Sequence, residues 1–401
     1  MAWNKMIVAL PAALLTLACG GQGGSSRSNP FTDAAPSYAA LSIDEASVDA
    51  TPPAATASEP APAEAMVVSP TMLGAGCHPH LFIRQREVVE RLNRHIYKAL
   101  SHVAEAIAAG KLTQVGSSAT WELVKGGIDI KFTITLVATD VYSWELDMAQ
   151  VGNALLTVMT GQIDRSGATV AREGKGSFTI DFANLYAADP ASKVTAGTLA
   201  VDFNVQPASR LLSAVATGIT WDLDAAQFSS IDVVNALSAP RSGAYVYYRE
   251  PGKGGSIKIE DQMVFACPAN PDLLPADAQM VTRWYRFSPT SVHGRSDAYM
   301  TGGQLPSTQI GGVTVDHVAA VTCHDAAAEA DVQAESFWLM KAEDASGNTL
   351  AGESSEHLGT VASSACDPVF GAVPDLLDNT NDFTDWPASY TDGTPYPFPG
   401  M

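Results

Sequence analysis

Basic residues are scarce in this chain of 401 residues: lysine and arginine together number 23, whereas aspartate and glutamate number 43. The formal net charge is therefore −20 at pH 7. A negative surface repels nucleic acid, so we expect no nucleic-acid partner. Charged residues of both signs make up only 16% of the chain. Together with the many threonines, serines, glycines and alanines, this composition favours a β-rich protein over a helical bundle.

The sequence also lacks the short motifs that identify common enzymes. It contains no G-x-S-x-G, no H-E-x-x-H, no P-loop and no dinucleotide-binding fingerprint. Carboxylates are numerous, but no pair stands out by its spacing as an acid and base couple. We therefore predict no catalytic residue and no cofactor.

Potential metal ligands occur in three places, and none has the pattern of a known site. The run Cys-His-Pro-His at residues 77–80 lacks the paired spacing of a structural zinc site. His95 and His102 are seven residues apart on a predicted helix, where a catalytic metal would need a third ligand. The acidic run 378–382 offers alternate oxygen ligands, but Phe383 stands where a calcium-binding EF-hand loop needs glycine. We predict no metal site.

Long apolar runs are absent as well. After a single positive charge at Lys5, residues 6–17 form an apolar stretch of about a dozen residues, within the ~7–15 typical of a secretory signal. A transmembrane helix needs ~20 such residues. No later stretch reaches that length without a charge, so the sequence predicts no transmembrane helix.

The end of this stretch resembles a bacterial lipobox, the cleavage and lipid-attachment site of secreted lipoproteins. Residues 15–19 read Leu-Thr-Leu-Ala-Cys, and two glycines follow. The resemblance covers residues 1–21, with Thr16 in place of the consensus leucine, and implies that residues 1–18 are a signal peptide and that Cys19 is lipidated. Glycine after the cysteine is typical of retention in the outer membrane. We therefore expect an envelope lipoprotein, held by its lipid anchor to the outer membrane at the periplasmic face or the cell surface.

Four further cysteines remain, at positions 77, 267, 323 and 366. An even number in an oxidising compartment indicates two disulfides, for which three connectivities exist. We predict that Cys77 pairs with Cys267 and that Cys323 pairs with Cys366. A metal site is the alternative for these thiolates.

Residues 19–76 have the composition of a disordered linker. Glycine and serine dominate its start, and alanine, proline, serine and glutamate follow. Such a segment cannot bury enough apolar surface to offset the entropy of ordering it. We expect it to hold the folded part away from the membrane.

A folded unit is predicted over residues 77–267. Apolar residues at steps of three and four predict an amphipathic helix over 84–109, ended by Gly110. From 119 to 266 the period changes to two, which predicts about eight to ten antiparallel strands with one solvated face. The large side chains of the apolar face are either a closed core or the lining of a ligand groove: Phe132, Trp144, Phe178, Phe203 and Trp221.

The predicted fold class is α+β, with a large curved antiparallel sheet packed on one long N-terminal amphipathic helix. A helix of 26 residues is ~39 Å long and eight strands span ~38 Å, so the helix can cover most of the sheet. In outline this is similar to the periplasmic lipoprotein carriers, which implies a groove for a lipid. Residues 268–401 are predicted to form a smaller β-rich region with an irregular acidic tail, either as a separate domain or as an extension of the first sheet.

These features favour a membrane-anchored, non-catalytic lipoprotein with a structural or surface-interaction role. The first alternative is a carrier that binds an apolar ligand or lipid between sheet and helix, and a protein partner is the other binding possibility. The second alternative is a hydrolase whose site has no recognisable motif.

Replacement of Cys19 tests the anchor. Because the lipid attaches to its thiol, Cys19→Ser should release soluble protein or stall removal of the signal peptide, as measured by membrane fractionation and by incorporation of labelled palmitate. Cys366→Ser is the matched control and should stay in the membrane fraction. A Cys19→Ser chain that fractionates and labels like the original chain would contradict lipidation.

Overall fold

The structure is a computed structural model that describes residues 29–41, 81–207, 209–222, 239–250, 254–264, 275–288, 291–302, 309–325 and 335–354. Within these ranges it has four α-helices and one 3₁₀ turn at Pro190–Ser192. The helices are α1 (Pro30–Asp33), α2 (Tyr38–Leu41), α3 (Leu81–Ala109) and α4 (Phe182–Ala188).

Seventeen strands occupy most of the remaining described residues. They are β1 (Lys111–Val115), β2 (Ser118–Lys125), β3 (Ile128–Ala138), β4 (Val141–Gln150), β5 (Leu156–Asp164), β6 (Gly174–Asp181), β7 (Val194–Gln206), β8 (Ser209–Trp221), β9 (Arg241–Glu250), β10 (Gly254–Val264), β11 (Pro275–Ser288), β12 (Ser291–Thr301), β13 (Gln309–Ile310), β14 (Val313–Thr314), β15 (His317–Asp325), β16 (Glu335–Glu343) and β17 (Thr349–Ser354).

Fifteen of the described strands form one antiparallel sheet in which each strand pairs with the next along the chain. The exception is the small hairpin of β13 and β14, which leaves the sheet and lets β12 pair with β15. The prediction of a mainly β protein with a large antiparallel sheet is confirmed. Ten strands come from residues 111–264, and pairing continues beyond that range because β10 pairs with β11 along its whole length.

Helix α3 buries one apolar face against this sheet. Residues at steps of three and four lie on that face, and five of them are buried: Val88, Leu92, Ile96, Leu100 and Val103. The helix ends at Gly110, whose N–H donates to the Ala106 carbonyl at 2.7 Å. A side chain at Gly110 would collide with that carbonyl, so glycine is the residue that fits directly after Ala109, the last residue of the helix. The helix contacts β2 and β3 near one end of the sheet and β11, β12 and β15 near the other.

The strands β2 to β8 have one buried and one solvated face, as their alternating sequences require. On β3, Ile130, Phe132 and Ile134 are buried, whereas Lys131 and Thr133 between them point to the other face. There Thr133 lies opposite Thr120, and their hydroxyl groups are 3.2 Å apart. The apolar face of the sheet is thus the inner one, against α3, and hydroxyl groups line the outer one.

Glycines on β5 and β6 make room for the largest rings of the inner face. Gly161 lies opposite both Trp144 on β4 and Phe178 on β6. A Cβ atom at Gly161 would come within 2.8 Å of Cε3 of Trp144 and 2.6 Å of Cβ of Phe178. The Trp144 ring lies parallel to the Phe203 ring, with centroids 6.0 Å apart.

Residues 29–41 lie inside the segment that composition predicts to be a linker, yet they are folded against the core. Asn29 begins α1, since its side chain accepts a hydrogen bond from the Phe31 N–H at 3.0 Å. The segment buries Phe31, Ala34, Ala35 and Leu41 among the residues of the main hydrophobic core. The average composition of residues 19–76 conceals this short run, in which five apolar residues recur at helical steps: Phe31, Ala34, Ala35, Tyr38 and Leu41.

Substitution of Gly161 tests how tightly the aromatic layer packs. Gly161→Ala should lower the free energy of unfolding by about 1–3 kcal/mol, because the added methyl group must displace the Trp144 ring, the Cβ of Phe178 and the backbone of β6. Urea unfolding followed by tryptophan fluorescence measures the loss. Thr160→Ala, on the exposed face of the same strand, is the control and should change stability by less than about 0.5 kcal/mol. Equal stability of the two variants would contradict this packing.

Candidate functional site

Four of the five groove candidates are enclosed in the core beneath α3. Phe132, Trp144, Phe178 and Phe203 are each at most 5% exposed. Trp144, Phe178 and Phe203 form a cluster in which every pair of ring centroids is 6.0–6.5 Å apart. Phe132 stacks on Trp121 at 6.0 Å. The structure therefore brings these residues together as packed core.

The fifth candidate, Trp221, lies at a small pocket where α3 passes over β7 to β10. His95 on α3 forms one wall, with its ring 6.4 Å from Trp221 and 5.3 Å from Phe182 of α4. The guanidinium carbon of Arg241 lies 5.7 Å from the centroid of the Trp221 ring. The pocket lining is completed by apolar residues of α3, β7 and β8 and by polar residues of β9 and β10: Val88, Leu92, Leu199, Ala216, Ile219, Ser242, Gly243, Tyr245 and Asp261.

The floor of this pocket is a buried hydrogen bond. The hydroxyl of Tyr245 donates to Oδ2 of Asp261 at 3.1 Å. Asp261 lies opposite Gly243 in the pairing of β9 with β10, and the Tyr245 hydroxyl is 2.7 Å from the place that a Cβ atom on Gly243 would take. Because Gly243 has no side chain, there is space for the Tyr245 hydroxyl to reach the Asp261 carboxylate. Arg241, Tyr245 and Asp261 are all buried, so this part of the inner face has polar groups within an otherwise apolar core.

The pocket has a volume of about 30 Å³. A water molecule needs roughly 10–15 Å³ measured in this way, so there is room for about two waters. Sites for drug-sized ligands or lipids measure about 300–1,000 Å³. The described pocket can hold a small polar group or ordered water, and it is far too small for an acyl chain.

The second histidine of α3, His102, has a separate role. It lies near the end of the helix, with Nε2 3.5 Å from Oδ2 of Asp189, which follows α4. Its Nδ1 is 3.9 Å from Glu105, which in turn binds Lys125 at 2.7 Å. The contact with His102 is the largest of the causes that lower the pKa of Asp189. Partial burial raises this pKa, and the hydrogen bond from the Ala191 N–H lowers it further. These contacts join α3 to α4.

A third histidine, His317, lies on the outer face of the sheet between two carboxylates. Its Nδ1 is 3.1 Å from Asp316 and its Nε2 is 3.0 Å from Glu343 on β16. The ring stacks on Tyr299 of β12, with centroids 4.6 Å apart. Burial raises the pKa of Tyr299, and the charges of Asp316 and Glu343 raise it further. Both ring nitrogens face carboxylates, so this histidine ties neighbouring strands together and has no nitrogen directed at a substrate.

Of the predicted disulfide residues, only Cys323 falls among the described residues. It is buried on β15 and is disulfide-bonded. Cys77, Cys267 and Cys366 lie outside the described residues, as does Cys19, so the two predicted pairings stay predictions.

Metal binding has no support from the part of the chain that the structure describes, since no group of three or more histidine, cysteine or acidic side chains there has a suitable arrangement. Residues 77–80 and the acidic run 378–382 lie outside that part. None of the described helices is both long and apolar enough to cross a membrane.

The buried polar residues Tyr245 and Asp261 of the pocket were not predicted, although the sequence contains a pattern that indicates them. On β10, Ile257, Ile259 and Asp261 follow one another at the alternation that buries a face, so the pattern places a carboxylate in an apolar row. On β9 the same phase joins Arg241 to Tyr245. A charged residue in the buried phase of two neighbouring strands marks a polar site inside a core.

Comparison with protein-family models, with curated proteins and with solved structures gives no match for this chain.

The contact of His102 with Asp189 predicts a dependence of stability on pH. The pKa of Asp189 is lowered from 3.8 in the folded chain, so the ionised carboxylate stabilises the fold above that value, and this contribution is lost as the pH falls through the folded pKa. Asp189→Asn should therefore lower the free energy of unfolding at pH 6, by about 1 kcal/mol for a partly solvated pair. The difference from the original chain should shrink below pH 3.8.

Urea unfolding at pH 6, 5, 4, 3 and 2 measures this difference. Asp202→Asn, an exposed carboxylate on β7, is the control and should follow the original chain at every pH. A deficit of Asp189→Asn that persists unchanged at pH 2 would show that the carboxylate charge contributes nothing.

Proposed function

We propose that the protein is an extracytoplasmic lipoprotein, anchored to the outer membrane through Cys19, whose folded part has a non-catalytic structural or surface-interaction role. The anchor rests on the lipobox resemblance of residues 1–21. The non-catalytic role rests on the packing of the inner face.

The observation that carries the proposal is the close packing of the inner face among the described residues. The candidate groove residues Phe132, Trp144, Phe178 and Phe203 are buried by one another and by neighbouring core residues. At the fifth candidate, Trp221, the pocket is about 30 Å³ in volume. A carrier needs an apolar cavity of several hundred Å³ to take up a lipid. The packing therefore supports a folded part that acts through its surface.

The proposal includes a sheet that curves around α3. A flat sheet of fifteen strands would be ~70 Å wide at ~4.8 Å per strand, and sheets of that width coil. Contacts of α3 with β2 and β3 on one side, and with β12 and β15 on the other, support this curvature, since one helix touches strands from both ends of the sheet. The outer, convex face would then be the surface that partners meet.

The shifted titratable groups support a role without catalysis. The Ser166 hydroxyl and N–H lower the pKa of Asp164, and the Asn348 side chain and backbone lower that of Asp344. Both aspartates accept hydrogen bonds within tight turns. Catalytic groups are usually perturbed together in one cleft. The described groups instead stabilise separate turns and strand contacts.

Measurement of bound lipid tests whether the interior has space for an acyl chain. The Cys19→Ser chain, purified without detergent, should contain less than about one molecule of lipid per ten of protein when organic extracts are measured by mass spectrometry, because its described pocket cannot take up an acyl chain. Trp144→Ala in the same chain is the matched control, because removal of that indole leaves an apolar cavity able to take up a small apolar probe such as benzene. One lipid bound per protein would overturn the proposal in favour of the carrier.

A further inference from the structure

We propose that residues 29–41, here called the strap, are a detachable segment that binds a surface between α3 and the sheet. This surface, here called the seat, includes Tyr97 of α3, Tyr142 of β4 and parts of β3 and β7. The seat accepts a short helical segment with apolar residues at steps of three and four, and its occupant is this chain's own strap. The consequence for membrane reach, given below, rests on the proposed anchor at Cys19.

The strap binds its seat through two aromatic contacts and a row of small buried residues. The Phe31 ring meets Tyr142 of β4 edge to face, with centroids 6.1 Å apart. The Tyr38 ring meets Tyr97 of α3 in the same way at 5.2 Å. Between them Ala34 is fully buried, and Leu41 is 2% exposed at the end of the strap. The helical turns also contact β3 and β7.

The described contacts of the strap with the rest of the chain are made mainly by side chains. A backbone hydrogen bond from the Arg172 N–H to the Asp33 carbonyl, at 2.8 Å, also joins the strap to the remainder of the described chain. Further backbone bonds lie within the strap, such as that from the Leu41 N–H to the Ser37 carbonyl at 3.1 Å. Asn29 and Ser37 supply side-chain caps within the strap. An element held in this way opens without unfolding the sheet, because no strand pairing has to break.

The strap is also distant from α3 along the chain. Thirty-nine residues, 42–80, separate the end of α2 from the start of α3, and nine residues, 20–28, separate Cys19 from Asn29. While the strap is docked, the folded part can lie at most ~35 Å of extended chain from Cys19. Once the strap is released, the connection runs from Cys19 to Leu81 and can extend to ~210 Å. Docking therefore sets how far the folded part reaches from the membrane.

A synthetic peptide of residues 29–41 tests the seat. The protein is the Cys19→Ser chain, so the result does not depend on lipidation. In one version Phe31→Ala and Leu41→Ala weaken the chain's own strap. A fluorescein-labelled peptide should bind this version at least about tenfold more tightly than the chain with an intact strap, because an intramolecular competitor acts at an effective concentration of about millimolar. Fluorescence anisotropy measures both affinities.

Two controls accompany this measurement. A peptide with Phe31→Ala should bind neither protein, and a chain with Thr32→Ala, which leaves the buried side chains of the strap unchanged, should exclude the peptide as the intact strap does. A folded double variant that fails to bind the peptide overturns the proposal. A dimer that exchanges straps between copies supports the seat and assigns its occupant to the second copy.

Hydrogen exchange of the unaltered strap covers the case in which the double variant does not fold. Amides of Ala34 and Leu41 should exchange at least about tenfold faster than those of Leu100 and Val103 in α3, because strap opening leaves the helix packed. Equal rates at all four positions would show that the strap is an inseparable part of the core, and would overturn the proposal. Failure of either test leaves the anchor at Cys19 untouched, since membrane fractionation measures that independently.

Discussion

The contact between α3 and the inner face of the sheet is the constraint on which the rest of the structure depends. A sheet of fifteen strands with an apolar face needs a partner for that face, and α3 supplies an apolar stripe whose described part runs from Val88 to Ala106. The helix meets strands near both ends of the sheet. The large rings of β4, β6 and β7 then fill the remaining space, and the glycine at position 161 lets them approach the backbone.

Much of this arrangement follows from the period of the sequence. On β3 and β7 apolar and polar residues alternate strictly, which fixes both the strand and the face it buries. Glycines in the turns between successive strands favour hairpins, in which each strand pairs with the next one in an antiparallel arrangement. The sequence predicts strands from 119 to 266, and in the structure each of these strands pairs with the next one along the chain. The strands from Pro275 onward continue the same rule, whereas the prolines before them left open whether these strands extend the first sheet or form a separate β-rich domain.

Two features could not be predicted from the sequence, because each departs from the local pattern or composition around it. Asp261 occupies an apolar position on β10, and its buried carboxylate accepts a hydrogen bond from Tyr245 across the sheet. Residues 29–41 lie within alanine- and proline-rich sequence, and their burial depends on rings that are distant along the chain, such as Tyr142. Propensity and local period carry no information about such long-range contacts. The choice between a groove and a closed core likewise depended on how completely side chains fill a volume.

The order of the strands along the chain has a consequence for how the chain folds as it is made. Each hairpin of the sheet can form as soon as its two strands are available, because its partners are adjacent in sequence. The last strands to reach α3 are different: β15 begins at His317, 208 residues after the helix ends at Ala109. Until those strands arrive, part of the apolar stripe of α3 has no cover. One long amphipathic helix therefore keeps part of its apolar face exposed until most of the sheet has formed.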